Sequence, residues 1–150
     1  MPNGSMKFEI IANPNNWRKV YEFLREFIYP IYEDKAEVLK ILMSCEEIFV
    51  NISRYAYPSS EGMVKINVSC LEDSSELEIT FEDFGIPFDP TLWETVSTNL
   101  PLSERKIGGL GVFMVKNIMD KMEYEYADGK NKLVMTKKIN NLGGYQNGDF

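Results

Sequence analysis

The sequence predicts an α/β two-layer sandwich: a mixed, mostly antiparallel sheet covered on one face by three helices. Three observations carry this. Residues 64–70 and 76–83 alternate strictly between apolar and polar side chains, which marks strands with one covered face and one wet face. Two other segments carry apolar residues at the 3,4 spacing of a helix with one buried stripe. The element order that results, β-α-α-β-β-loop-α-β-β, fits helices laid on an antiparallel sheet. A doubly wound parallel sheet is excluded, because its strands would read as continuous apolar runs.

The elements follow in order. Residues 6–12, "MKFEIIA", read as a strand. "NPNNW" is an N-cap signal, and residues 15–28 are helical through Trp17, Val20, Tyr21, Leu24, Phe27 and Ile28, stopping at Pro30. The second helix runs from Glu33 to about Tyr55. Its stripe is Val38, Ile41, Leu42, Cys45, Ile48, Phe49, Ile52 and Ala56. In "VKINVSC" the residues Val64, Ile66, Val68 and Cys70 face one way. In "ELEITFED" Leu77, Ile79 and Phe81 do the same. Residues 90–107 have weak periodicity. Residues 110–122 read as a helix, and "MEYEYADGKNKLVMTKKI" reads as a closing hairpin turning at Asp128-Gly129.

One domain is expected over residues 6–139 of the 150. Residues 1–5 read as a cloning remnant, and the Gly/Asn-rich 140–150 as a flexible tail. Net charge is −7 and no basic stripe is present, which argues against direct nucleic-acid binding. No run approaches the ~18 apolar residues of a membrane span. Cys45 and Cys70 both fall on apolar stripes, the pattern of buried thiols in a reducing cytoplasm. Histidine is absent, so Ser-His-Asp and Cys-His catalysis and histidine-ligated metals are excluded. Acid–base chemistry falls to a carboxylate or a lysine.

Three groups of residues could carry chemistry. Gly108, Gly109 and Gly111 precede or open a helix, where free N–H groups and the helix dipole favour an anion. Neither the dinucleotide fingerprint nor the Walker loop fits: Met114 stands where a third glycine belongs, and no Gly-Lys-Ser/Thr occurs. A plain glycine-rich helix start remains open. Asp83 ends a strand just before Gly85 and Pro87. It could accept from an exocyclic amine, with Gly85 letting a flat ring approach, or it could be a turn residue. Glu47 and Asn51 stand four apart on the second helix, beside Ser44 and Arg54 and away from the apolar stripe. A carboxylate and an amide so placed could share a hydrated magnesium ion and a nucleophile's proton, or form a solvated face.

The order of these groups resembles the GHKL (Bergerat-fold, histidine-kinase-like) ATPases, and most closely the bacterial anti-sigma regulatory factor serine/threonine protein kinases. The stretches that carry the likeness are "EEIFVNISRYAYP", "FEDFGIPFDP" and "KIGGLGVFMVKNIMDKMEYEY", ending in "NKLVMTKK". The resemblance implies ATP and Mg2+ as cofactors. It implies Glu47 as general base, Asn51 as magnesium ligand, Asp83 as acceptor for the adenine amine and Gly85 as pocket lining. Residues 91–107 would form a lid, with Arg105 and Lys106 at its end as candidates for the γ-phosphate. Gly108, Gly109 and Gly111 would cradle phosphates. Asn131 stands where many relatives carry a threonine that helps hold adenine, and Tyr55 lies near the place of a family histidine. The implied function is phosphorylation of an anti-anti-sigma (STAS-domain) protein together with sequestration of a sigma factor, in a cytoplasmic homodimer that regulates transcription. A module of the same fold that binds ATP without kinase activity is the alternative reading.

Overall fold

The computed structural model describes residues 4–71, 75–92 and 109–139. Strand β1 (Gly4–Ile11) leads through a 3-10 turn (Pro14–Asn16) into helix α1 (Trp17–Ile28), and helix α2 (Lys35–Tyr55) follows. Strands β2 (Met63–Leu71) and β3 (Glu76–Asp83) precede a short 3-10 turn at Pro90–Leu92. Helix α3 (Gly109–Ile118) then leads to strands β4 (Lys121–Ala127) and β5 (Lys130–Lys138). The expected lid, bar residues 91 and 92, and the tail at 140–150 lie outside the described residues.

The strands form one sheet in the order β1-β2-β3-β5-β4, and all four pairings are antiparallel rather than mixed. Register follows the alternation. One row runs Phe8–Ile66–Phe81–Leu133–Tyr124 across all five strands. Val64, Ile66, Val68, Cys70, Leu77, Ile79 and Phe81 on this covered face are fully buried. The opposite face carries Lys65, Asn67, Glu78, Glu82 and Lys132 around a broad open hollow. Strand β1 begins at Gly4, which pairs with Cys70, so the strand starts two residues earlier than Met6.

Helix α2 is the central helix. Every residue of its expected stripe is buried, and Trp17 of α1 packs on Phe49 with ring centroids 6.0 Å apart. Side chains start the helical segments: Asn13 accepts from the Asn15 N–H at 2.8 Å, and Asp34 from the Ala36 N–H at 3.0 Å. Asp34 therefore sets the start of α2 at Lys35. The Lys35 ammonium donates to the Tyr29 and Tyr32 carbonyls, both at 2.7 Å, and closes the C-terminal end of α1. Cys45 and Cys70 are free thiols, and burial pushes both up from the ordinary thiol range.

Helix α3 is shorter than the spacing predicts. It ends at Ile118, four residues before the expected limit of 122, and β4 begins at Lys121. Val115, Met119 and Met122 fit a helical stripe, but Met122 and Tyr124 also fit a pleat, and the sheet claims them. The Asp120 N–H donates to the Thr136 carbonyl at 2.9 Å and its carboxylate accepts from the Lys138 N–H at 2.6 Å, which commits the chain to β5. The β4–β5 hairpin turns where expected. Asp128 (φ 56°) and Gly129 (φ 74°) both lie in the left-handed region that a two-residue turn of this hand requires.

Candidate functional site

The site forms where the end of β3, the start of β5 and the middle of α2 converge. Asp83, the last residue of β3, pairs in register with Asn131 on β5. Both are buried. The Asn131 side-chain amide donates to Asp83 Oδ1 at 2.9 Å, and the Gly85 N–H donates to the same oxygen at 2.8 Å. Burial raises the Asp83 carboxyl above its ordinary value, while these two donors pull it back down.

Asn131 also ties down the chain that follows β3. Its Nδ2 donates to the Ile86 carbonyl at 2.9 Å and reaches the Gly85 carbonyl at 3.4 Å. Its Oδ1 accepts from the Phe88 N–H at 3.0 Å and from the Tyr124 hydroxyl. Gly85 is packed from the other side. A Cβ there would fall 2.2 Å from the Ala56 carbonyl oxygen, and the next N–H, of Ile86, donates to that oxygen at 2.9 Å. The close approach that Gly85 permits in the fold is therefore to the end of α2.

Glu47 and Asn51 face the same region from α2. The Asn51 Nδ2 donates to Glu47 Oε2 at 3.1 Å. This side of α2 is not a solvated face: Asn51 and Ser44 are buried and Glu47 is half-buried, with α3 packed on α2 and the ends of β3 and β5 facing Asn51. A Cβ on Gly111 would fall 2.1 Å from Glu47 Cδ, so the start of α3 lies directly on the carboxylate. The far end of α3 is held by Lys137, whose ammonium donates to the Ile118 carbonyl at 2.8 Å and stands 3.6 Å from Glu37 of α2. The two contacts set α3 antiparallel to α2. Burial raises the Glu47 carboxyl; the Asn51 amide and the Arg54 charge lower it, and Glu46 raises it.

Asn51, Asp83 and Asn131 line one narrow, nearly filled pocket with about 10 Å3 of free space, whose walls include Ile52, Phe88 and Tyr124. Asn51 turns its NH2 end to Glu47, which leaves Oδ1 as its oxygen for a cation. Among the described residues no three Asp, Glu or Cys converge to cage a metal, so a cation here would take few protein oxygens. Gly109 is the first residue of α3, while Arg105, Lys106 and Gly108 lie outside the described residues.

Some residues of the site were not among the sequence candidates. Tyr124 reaches Asn131 and Phe88, and Phe88 packs on Tyr55 with centroids 5.8 Å apart. Tyr57 accepts from the Phe84 N–H at 2.8 Å and donates to the Met63 carbonyl at 2.7 Å, bracing the end of β3. The usable signal was a tyrosine on the inward side of an alternating strand, whose hydroxyl needs a partner.

The histidine kinase-like ATPase domain family matches residues 10–137. The chain belongs to that family. Among curated members, the anti-sigma F factor of Clostridium kluyveri is 27% identical over 145 residues, covering 95% of this chain and 99% of its own length. The serine-protein kinase RsbW of Listeria innocua is 32% identical over 119 residues, covering 76% and 70%. The RsbW enzyme of Bacillus cereus is 31% identical over 110 residues, covering 71% and 66%. A solved structure of the RsbU and RsbW domains of a Mycobacterium tuberculosis protein shares the fold, with a TM-score of 0.65 at 16% identity. That match covers 92% of this chain and 33% of the other. As a histidine kinase-like ATPase domain the chain has kinase-like relatives, and among its described residues no helix is long and apolar enough to cross a membrane.

Proposed function

We propose that this protein is an ATP-dependent serine/threonine kinase of the anti-sigma type, which phosphorylates a small STAS-domain anti-anti-sigma protein and, unoccupied by that partner, sequesters a sigma factor. The observation that carries the reading is the shared cavity. Asp83 and Asn51 line it together, and Asn51 is bonded to Glu47 under the glycine start of α3.

Each residue then has a task that its surroundings suit. Asp83 accepts from the adenine amine, using the oxygen that Gly85 and Asn131 leave unengaged. Gly85 lines the base pocket. Main-chain N–H groups of Gly109 and Gly111 face the phosphates at a positive helix end, and Gly108, Arg105 and Lys106 extend that contact. Asn51 Oδ1 would hold a magnesium ion, which when bound would offset phosphate charge. Glu47, made more basic by burial, takes the proton of the attacking seryl hydroxyl. The seryl oxygen bonds to the γ-phosphorus as the bond to the departing ADP oxygen breaks. The chain's own contribution is to position these groups and neutralise charge. A cytoplasmic homodimer is part of the same proposal.

Labelled ATP, magnesium and candidate STAS proteins test it. Transfer to a cognate partner is expected, falling by about 10²–10⁴-fold in Glu47→Ala while nucleotide binding persists. A wild type that binds ATP and phosphorylates no cognate partner would instead make this a nucleotide-dependent binding module.

A further inference from the structure

The hydrogen bonds around Asn131 have a direction, and that direction bears on which base the cavity accepts. An asparagine side chain has an oxygen end and an NH2 end of almost the same shape, so its partners decide which way it points. Here the NH2 end meets three acceptors: Asp83 Oδ1 and the Ile86 and Gly85 carbonyls. The oxygen end meets two donors, the Phe88 N–H and the Tyr124 hydroxyl. Turned over, Asn131 would set oxygen against a carboxylate and NH2 against an N–H.

A hydroxyl can swap between donor and acceptor, so Tyr124 must itself be fixed to act as an orienting group. It is. The Phe88 N–H also points at the Tyr124 oxygen, at 3.2 Å, which sends the phenolic proton toward Asn131. Burial pushes the Tyr124 hydroxyl above its ordinary value, so the proton stays on it. The chain of orientation runs from Phe88 through Tyr124 and Asn131 to Asp83. At its end two N–H groups point at Asp83 Oδ1. These two donors favour the ionised carboxylate in a place where burial favours its neutral form, and they leave Oδ2 free to accept.

We infer that Tyr124 is a positioning residue for base selectivity: by orienting Asn131 it keeps Asp83 an acceptor, so that the cavity takes a 6-amino purine and refuses a 6-oxo purine. This rests on the nucleotide-site reading above. An exocyclic amine donates to the free carboxylate oxygen. A carbonyl in its place would meet lone pairs, unless Asp83 took up a proton and donated.

Binding of ADP and of IDP, each with magnesium, is measured on the wild type, Tyr124→Phe and Asn131→Asp by calorimetry. The wild type is expected to prefer ADP. Tyr124→Phe keeps the ring and the fold, and is expected to lower the ADP/IDP ratio about 5–10-fold, mostly through tighter IDP binding. Asn131→Asp puts a second carboxyl against Asp83, so that the pair holds a proton, and is expected to shift preference toward IDP. A ratio unchanged in Tyr124→Phe, with both nucleotides bound, overturns the inference and leaves the site intact. A wild type that binds neither nucleotide overturns the nucleotide reading itself. The orientation is then read without ligand, from the Asn131 side-chain NH2 signals. They are expected to be protected from exchange in the wild type and to lose protection in Tyr124→Phe, and equal exchange in both removes Tyr124 as the orienting group.

Discussion

Gly111 and Glu47 touch across the α2–α3 interface: a Cβ on the glycine would overlap the carboxylate of the glutamate, 2.1 Å from its Cδ. The overlapped atoms are the far end of a flexible side chain, not backbone. An alanine can therefore be admitted by swinging the carboxylate away, at the cost of its bond to Asn51. Gly111→Ala is expected to melt within a few degrees of wild type while phosphotransfer falls by about 10²-fold or more, as for loss of a general base. Parallel melting and transfer assays check this; a variant that keeps full transfer would separate Glu47 from the chemistry.

The acid limb of the pH–rate profile reports Glu47. Burial raises its pKa, so the base becomes available only at a pH above the ordinary carboxylate range, and the rate rises with pH through the raised value. Asn51 lowers that pKa by donating to the carboxylate. Asn51→Ala should move the limb to higher pH as well as weaken magnesium dependence. The comparison needs a slow variant assayed at saturating magnesium, and a limb that stays put or moves to lower pH contradicts the assignment.

Much of the fold was legible because its signals are long and repeated. The 21-residue helix α2 shows its stripe several times over, and β2 and β3 alternate without a break. The end of α3 differs from the sequence reading because Met122 fits two periods at once, the helical stripe of Val115 and Met119 and the pleat of Tyr124. At the site, no local pattern reports that Asp83 and Asn131, 48 residues apart, become register partners; only the family resemblance brought them together. The pattern on α2 leaves a solvated face open for Asn51, because its neighbours, Asp83, Phe88 and Asn131, come from segments far along the chain. Tyr124 sits in "MEYEY", where Met122, Tyr124 and Tyr126 share the inward face against Glu123 and Glu125, but no local pattern names the partner of its hydroxyl.

Gly85 is the opposite case to Gly111. Its absent Cβ would meet the Ala56 carbonyl oxygen at 2.2 Å and carbon at 2.6 Å, atoms fixed at the end of α2. Nothing there can rotate aside. Gly85→Ala is expected to cost about 1–3 kcal/mol and several degrees of Tm, even with no nucleotide in the solution. Denaturant unfolding measures it. A variant as stable as wild type would show that the chain after β3 can lift off α2.

Replacing Asp83 by asparagine separates stability from recognition. The folded carboxyl has a raised pKa, so its contribution to stability is intact below the unfolded value of about 3.9 and is lost as pH rises through the folded value. Wild type at neutral pH bears that loss in full; Asp83→Asn does not titrate. The substituted amide keeps an oxygen for the Gly85 and Asn131 donors, so the turn should survive. The melting temperature of the variant relative to wild type is therefore expected to climb as pH is raised from acid and to level off toward neutral. Its NH2 would stand where the carboxylate oxygen accepted the adenine amine, donor against donor. ADP affinity should fall by about 100-fold or more at the same pH where the protein is at least as stable as wild type. Undiminished ADP binding by a folded Asp83→Asn would mean that the base is held elsewhere.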